Sequence, residues 1–334
     1  GFYMGNLGKI GCFLFSMVSL GAVAASGFDM LVDAVYRVCV LGFGEFGGVE
    51  VVVVVFGLVL VLSMGDREEV FVRMMAIAAY FAILVNFAVL LYGAWAVVKN
   101  FDRITFDDGN QEHNHDVVVQ LYNSEWTQFS SLLALIFLCQ NSLMIVLRNQ
   151  KDPSNNHRDV NITFGALAFF GALTGIVGYL GFKAEFPAMT QNCLDNFSND
   201  DWFAVLIRSA LIFQLGLALP SLTYINRVQF FSFINQQPRV LEIFGFNVVF
   251  LLIVITATLF YPTQLAKIMN YGGGISGIGV IFLIPCLCYS THKWRTWKQN
   301  QNSHNKRVFL ISLVITISMS LLGVVLLYGQ FFIQ

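Results

Sequence analysis

Hydrophobic and polar positions alternate along this chain on a long period. Apolar runs of about twenty residues are separated by shorter polar stretches, and the pattern predicts nine helices over 10–33, 48–65, 71–98, 128–147, 161–182, 202–226, 243–261, 272–291 and 308–332. Runs of that length match helices crossing roughly 30 Å of hydrocarbon. The second run begins "VEVVVVVFGLVLVLSM", which is rich in β-branched residues. A helix is still predicted there, because in lipid every backbone group must bond within its own segment. Barrel strands alternate apolar and polar residues, and these runs do not. The expected fold class is therefore an all-α, multi-span membrane protein, with residues 1–334 as a single transmembrane domain.

Composition agrees with the pattern. Hydrophobic residues make up 57% of the chain and charged residues only 12%. A soluble domain carries about a quarter charged residues, so this chain cannot cover a water-facing surface and calls for a lipid bilayer. The net charge of −1 gives no sign of a nucleic-acid partner, and none is expected. The chain opens on Gly1, and no basic leader with a small-residue cleavage site precedes the first run, so a fragment is expected.

Lysine and arginine positions set the orientation. If the ends of the nine runs are assigned alternately, thirteen of the 19 fall on the side of the N-terminus and five on the other, with Arg208 inside a run. The N-terminal side is thus expected to be cytosolic, and Arg208 is expected to snorkel outward. Asn196-Phe-Ser198 is an N-glycosylation sequon on the far side, whereas Asn161-Ile-Thr163 falls on the cytosolic side and is expected to stay unmodified. Among the six cysteines only Cys39 and Cys193 fall on the far side, and a disulfide between them is expected.

Polar residues inside apolar runs are the candidates for function. In "IFLCQNSLMIV", Gln140, Asn141 and Ser142 sit side by side at about 100° intervals, so they cannot share one narrow helix face. Two readings stand: interhelical bonding, or a broken helix lining a mid-membrane cavity. The run "WFAVLIRSALIFQLGLALPSLTYIN" places Gln214, Ser221 and Thr223 near Pro220, which removes a backbone donor. Hydroxyls beside freed carbonyls suit a hard cation such as Na⁺, or they simply heal the kink. Gly171-x-x-x-Gly175 and Gly273-x-x-x-Gly277 predict close helix packing. Asp29, Asp33 and Arg37 predict an exposed, charge-paired face. His113 and His115, with Glu112 and Asp116, lack the remainder of a zinc ligand set and are expected to be solvated. No nucleophile–base pair, phosphate loop or haem motif is present, so an enzyme is not expected and no cofactor is called for.

Several stretches resemble the amino acid/auxin permease family, and within it the lysosomal branch of the sodium-coupled neutral amino acid transporters (solute carrier family 38). They are "MGNLGKIGCFLFSMVSLGA", "NNHRDV", "NCLDNFSNDDWFAVLIRSALIFQ", "NRVQFF" and "LFYPTQLAKIMNYGGGISG". The resemblance covers nearly the whole chain. It implies an eleven-span inverted-repeat fold of the LeuT type in which the nine runs are spans three to eleven, and it places "FLCQNSLM" on a broken sixth span. It also implies alternating-access transport of an amino acid substrate. Gln140, Asn141 and Ser142 are the expected substrate contacts, the residues around Pro220 offer Ser221 and Thr223 as the expected cation ligands, and Gln214 is a candidate for either role, substrate contact first. The implied location is a lysosomal or late endosomal membrane, with the plasma membrane as the alternative. Signalling-complex partners would engage an N-terminal tail. The family's first two spans and that tail have no counterpart here, so residues 1–334 by themselves are not expected to transport. An amino-acid sensor and a non-transporting scaffold of the same fold are the alternative functions.

Overall fold

The computed structural model describes residues 5–43, 47–101, 104–106, 117–119, 147, 152–186, 193–198, 201–260, 284–300 and 303–332. Its long helices are α1 (Gly5–Phe43), α2 (Gly48–Ser63), α3 (Glu68–Lys99), α4 (Asn156–Glu185), α5 (Trp202–Phe233), α6 (Val240–Phe260), α7 (Ile284–Asn300) and α8 (Ser303–Phe332). Five of them, α1, α3, α4, α5 and α6, contain stretches long and apolar enough to cross a membrane. The run expected over 128–147 lies outside the described residues except for Leu147, and 272–283 lies outside them as well. The valine-rich segment is helical, as hydrocarbon burial requires, and its Val51, Val55 and Val59 form a buried i, i+4 seam.

The described helices fit the all-α expectation, with one short strand pairing outside them. Residues Ile104–Phe106 (β1) and Val117–Val119 (β2) pair as short parallel strands, with Ile104 opposite Val117. They belong to the polar loop 99–125, where the backbone can bond between segments and β-branched residues favour extended structure.

Helix α5 is the axis of the described bundle. On one side its Leu219 joins Ala24, Ala25, Phe28 and Leu31 of α1, Val51, Val55 and Val59 of α2, and Phe250, Leu251 and Val254 of α6. On another, its Ala204 and Ile207 pack with Phe182, Leu194 and Phe197. Tyr92 of α3 enters the same group, edge-on to Phe197 and stacked with Phe203. Near the opposite end Phe71 stacks on Tyr224 at 4.1 Å, beside Leu20 and Ile225. Helices α1 and α5 run antiparallel, and a Cβ on Gly27 would meet Leu219 at 3.3 Å.

Small-residue packing occurs among the described residues away from the two motifs. Among those residues a Cβ on Gly171 or Gly175 would meet nothing within 4 Å, and Gly273 and Gly277 lie outside them. The close crossing is between α3 and α4, at Gly93 and Gly181. A Cβ on Gly181 would come within 2.8 Å of the Gly93 Cα and closer still to its carbonyl oxygen. Backbone cannot swing aside as a side chain can. Gly181→Ala is therefore expected to destabilise the α3–α4 pair by about 1–3 kcal/mol, while Gly175→Ala changes little. Thermal unfolding of the two variants in detergent checks this, and equal midpoints would contradict it. Just beyond the crossing, Lys99 Nζ (2.7 Å) and Asn100 Nδ2 (2.8 Å) both donate to Glu185 and tie the helix ends together.

Candidate substrate and ion site

The described part of the candidate site lies on α5. The helix starts where the Asp201 carboxylate accepts the Phe203 N–H at 2.9 Å, an N-cap that satisfies one orphan donor. It continues without interruption through Pro220 to Phe233. Proline has no N–H, so the Gly216 carbonyl loses its usual i+4 donor. Around this point the hydroxyls turn back onto the helix: Ser221 Oγ donates to the Leu217 carbonyl and Thr223 Oγ1 to the Leu219 carbonyl, each at 3.0 Å. Both residues are buried.

That geometry corrects the expected cation pair. Residues two apart on a continuous α-helix point about 200° away from each other. Ser221 and Thr223 therefore address opposite sides of α5 and do not converge on one ion. Gln214 and Ser221, seven apart, fall within about 20° of each other and share a face. The Gln214 Oε1 is buried there with no hydrogen-bond partner. Gln140, Asn141 and Ser142 lie outside the described residues, as do His113, His115, Glu112 and Asp116. No group of three or more His, Cys, Asp or Glu suited to a metal ion occurs among the described residues.

At the outer end of α1 the expected disulfide is not formed, because Cys39 carries a free thiol. The segment that holds Cys193 is instead joined to α1 by charge. Arg37 donates to Asp195 at 2.8 Å while its Nε bonds Asp33 at 2.9 Å, one helical turn away. The Asp33–Arg37 pair is thus half-buried and engaged across helices rather than merely exposed. Asn196 is half-buried in the short Cys193–Asn196 turn, between the core residues Leu194 and Phe197.

Two arginines on α5 behave unlike the sequence expectation. Arg208 does not snorkel outward. It is 1% exposed, donates Nη2 to the Leu194 carbonyl at 2.8 Å, and leaves Nε and Nη1 buried without partners. Arg227, assigned to the cytosolic surface by its charge, is also 1% exposed. Its Nη1 donates to the Ser63 carbonyl at 2.9 Å and its Nη2 to the Gly65 carbonyl at 2.6 Å. Asn247 of α6 adds a third donor, from Nδ2 to Ser63 O at 3.1 Å. Beside them the Asn226 amide is fully buried with neither its oxygen nor its nitrogen bonded. The available signal was "NRVQFF" itself: aromatic and aliphatic residues resume after Asn226 and Arg227, so the helix runs on and takes both inside.

A family model described as transmembrane amino acid transporter protein matches residues 14–331. The chain belongs to this family. Membership of the transmembrane amino acid transporter family agrees with the long apolar helices. The chain is similar to the sodium-coupled neutral amino acid transporter 9 homolog of Caenorhabditis elegans, at 31% identity over 188 residues, which is 56% of this chain and 30% of that protein. It is similar to neutral amino acid transporter 9 of Danio rerio, at 28% over 218 residues (63% of this chain, 38% of that protein). With neutral amino acid transporter 9 of Rattus norvegicus the values are 29% over 218 residues (63% and 36%). The match thus spans about a third of the length of each of these relatives. The resemblance drawn from the quoted stretches is borne out at the level of the family and of these named relatives.

Proposed function

We propose that this protein carries amino acids across a membrane by alternating access, with no covalent step. The observation that carries the reading is the family match over residues 14–331. The buried, unbonded Gln214 carbonyl adds to it, because an unsatisfied amide inside a membrane span is costly unless a ligand or water completes it. In this reading Gln214 and Ser221 line one wall of a mid-membrane cavity, and Gln140, Asn141 and Ser142 line another. Nine spans in the chain, related to an eleven-span inverted repeat, would place that cavity between the repeats. The excess of lysine and arginine on the N-terminal side supports a cytosolic N-terminus.

The substrate we propose is a neutral amino acid, the class in the names of the relatives. Sodium coupling, named for the Caenorhabditis elegans protein, is carried over as a proposal that does not rest on Ser221 and Thr223 acting together. An endolysosomal membrane, attachment to signalling complexes and glycosylation of Asn196 belong to the same proposal.

The test is uptake of labelled neutral amino acids by the full-length protein in proteoliposomes, with and without a sodium gradient. Asn141→Leu and Gln214→Leu are each expected to raise the half-saturating substrate concentration about tenfold, as loss of one buried hydrogen bond does. Their folded yield should be unchanged. Saturable uptake with the kinetics of the unmodified protein in both variants would refute the assigned cavity. Substrate binding without flux would refute transport and favour a sensor.

A further inference from the structure

We propose that the end of α7 and the start of α8 form a docking surface for anionic phospholipid headgroups. The first observation is the charge pattern. Glu242 is the last acidic residue of the chain, and Lys293, Arg295, Lys298, Lys306 and Arg307 follow it within one short stretch. Among the described residues neither Lys293, Lys298 nor Arg307 makes a salt bridge. Positive charge from Lys293, Lys298 and Arg307 therefore accumulates here without a salt-bridged counter-charge among the described residues.

The second observation is how the hairpin holds these cations. Helices α7 and α8 are locked by a polar seam: Ser290 Oγ meets Thr316 Oγ1 at 2.6 Å and donates to the Ser312 carbonyl at 3.1 Å. Thr316 also donates to the Cys286 carbonyl at 3.1 Å. Two turns further along α7, Trp297 stacks on Phe309 at 5.8 Å. Arg295 and Lys298 fall on faces of α7 turned away from that seam, and the half-buried Lys293 lies beside it. Lys293 lies over the Tyr289 ring at 5.2 Å and Lys298 over the Trp294 ring at 5.7 Å, each reaching back one turn. Tyr289, Trp294, Arg295 and Lys298 are exposed.

Tyrosine and tryptophan rings settle at the level of lipid headgroups, half in the apolar phase and half in water. Here they hold ammonium groups at that same level, on a helix that leaves the apolar run and turns polar. The arrangement fits a phosphate-bearing lipid surface better than a protein partner, because the charge lies on the part of the hairpin that emerges from the membrane. Anionic lipids populate the cytosolic leaflet, which is where the proposed orientation puts this end. The inference rests on that orientation and not on the identity of the transported substrate.

The experiment uses the full-length protein in nanodiscs containing brominated phosphatidylserine or brominated phosphatidylcholine at matched mole fraction. Bromine quenches nearby tryptophan, so with Trp95, Trp126, Trp202 and any tryptophan outside residues 1–334 replaced by Phe, Trp294 and Trp297 report the lipids around the hairpin. Phosphatidylserine is expected to quench more strongly, and high salt should abolish the difference. Each cation near an anionic surface raises affinity about fivefold. The triple variant Lys293→Gln, Arg295→Gln, Lys298→Gln should therefore lose the preference. The pair Lys293→Arg, Lys298→Arg, which keeps the charge, should retain it. Equal quenching by both lipids in the unmodified protein would overturn the proposal, as would a preference that survives in the triple variant. Uptake that fails while the lipid preference persists would count against the transport reading and leave this one standing.

Discussion

Replacing Arg227 by Met is expected to lower the stability of the folded protein by about 3 kcal/mol, the combined effect of two hydrogen bonds from a charged donor. The guanidinium fills the corner between α2 and α3, where it donates to Ser63 O and Gly65 O. Ser63 is the last residue of α2, and the last carbonyls of a helix have no donor of their own. A cation at that end also complements the helix dipole. Methionine keeps much of the length and apolar bulk but none of the donors, so the Gly65 carbonyl loses this donor and the Ser63 carbonyl keeps only the Asn247 amide. Arg227→Lys should fall between, because a lysine offers a compact point charge rather than a planar fork. Asn247→Leu removes one neutral bond to Ser63 O and should cost about 1 kcal/mol. The nearest carboxylate, Asp66, lies 3.9 Å away and is 81% exposed. Such a pair contributes little through solvent, so Asp66→Asn should be nearly neutral. Thermal or denaturant unfolding in detergent measures all four. If Asp66→Asn costs as much as Arg227→Met, the ion pair and not the carbonyl clamp holds the corner.

Arg208→Met is expected to do the opposite. Only one of its nitrogens is bonded, to Leu194 O, and the other two are buried bare. The nearby carboxylates of Asp33 and Asp195 are held by Arg37. Removing a buried charge that is poorly compensated is often neutral or stabilising, even when one bond is lost with it. Stability should therefore stay within about 1 kcal/mol of the unmodified protein, or rise above it. Uptake, in contrast, should fall at least about tenfold. Under the proposed transport function, an ionisable side chain kept inside a membrane span without stabilising it is assigned to the transport cycle. A loss of stability as large as that for Arg227→Met would contradict the first half. Unaltered uptake would contradict the second.

The contrast between these two arginines shows where sequence reasoning stopped. Both are arginines near the ends of one apolar run. One was assigned to the surface and the other was expected to reach it, because charge usually finds water. In the fold, Arg227 finds carbonyls 162 and 164 residues away, and Arg208 finds one 14 residues away. Nothing local to either residue distinguishes them. The cation pair Ser221 and Thr223 failed for a different reason. Proximity in sequence suggested a common site, but the helix stays continuous through Pro220 and its 100° step separates them. Gln214 held its place as a candidate because it is seven residues from Ser221 and so returns to the same face.

By itself the sequence determined that this chain is a helical membrane protein. The hydrophobicity of each run is a local quantity, and a run either partitions into lipid as a helix or does not. The same local property made the valine-rich segment a helix against its β-branched composition. The family was equally legible, because its stretches are contiguous. Only the tertiary structure decided which small residues touch. The Gly171-x-x-x-Gly175 spacing is a property of one helix, whereas a close crossing needs a partner at the same height, and α3 supplies Gly93 at the level of Gly181. It likewise decided that Arg37 bridges to Asp195 while Cys39 stays a free thiol, since a disulfide requires two Cβ atoms in a narrow geometry and an ion pair tolerates many. Buried polar groups in a bundle are satisfied by whatever carbonyl another helix brings to their level, and that is set by how the helices pack.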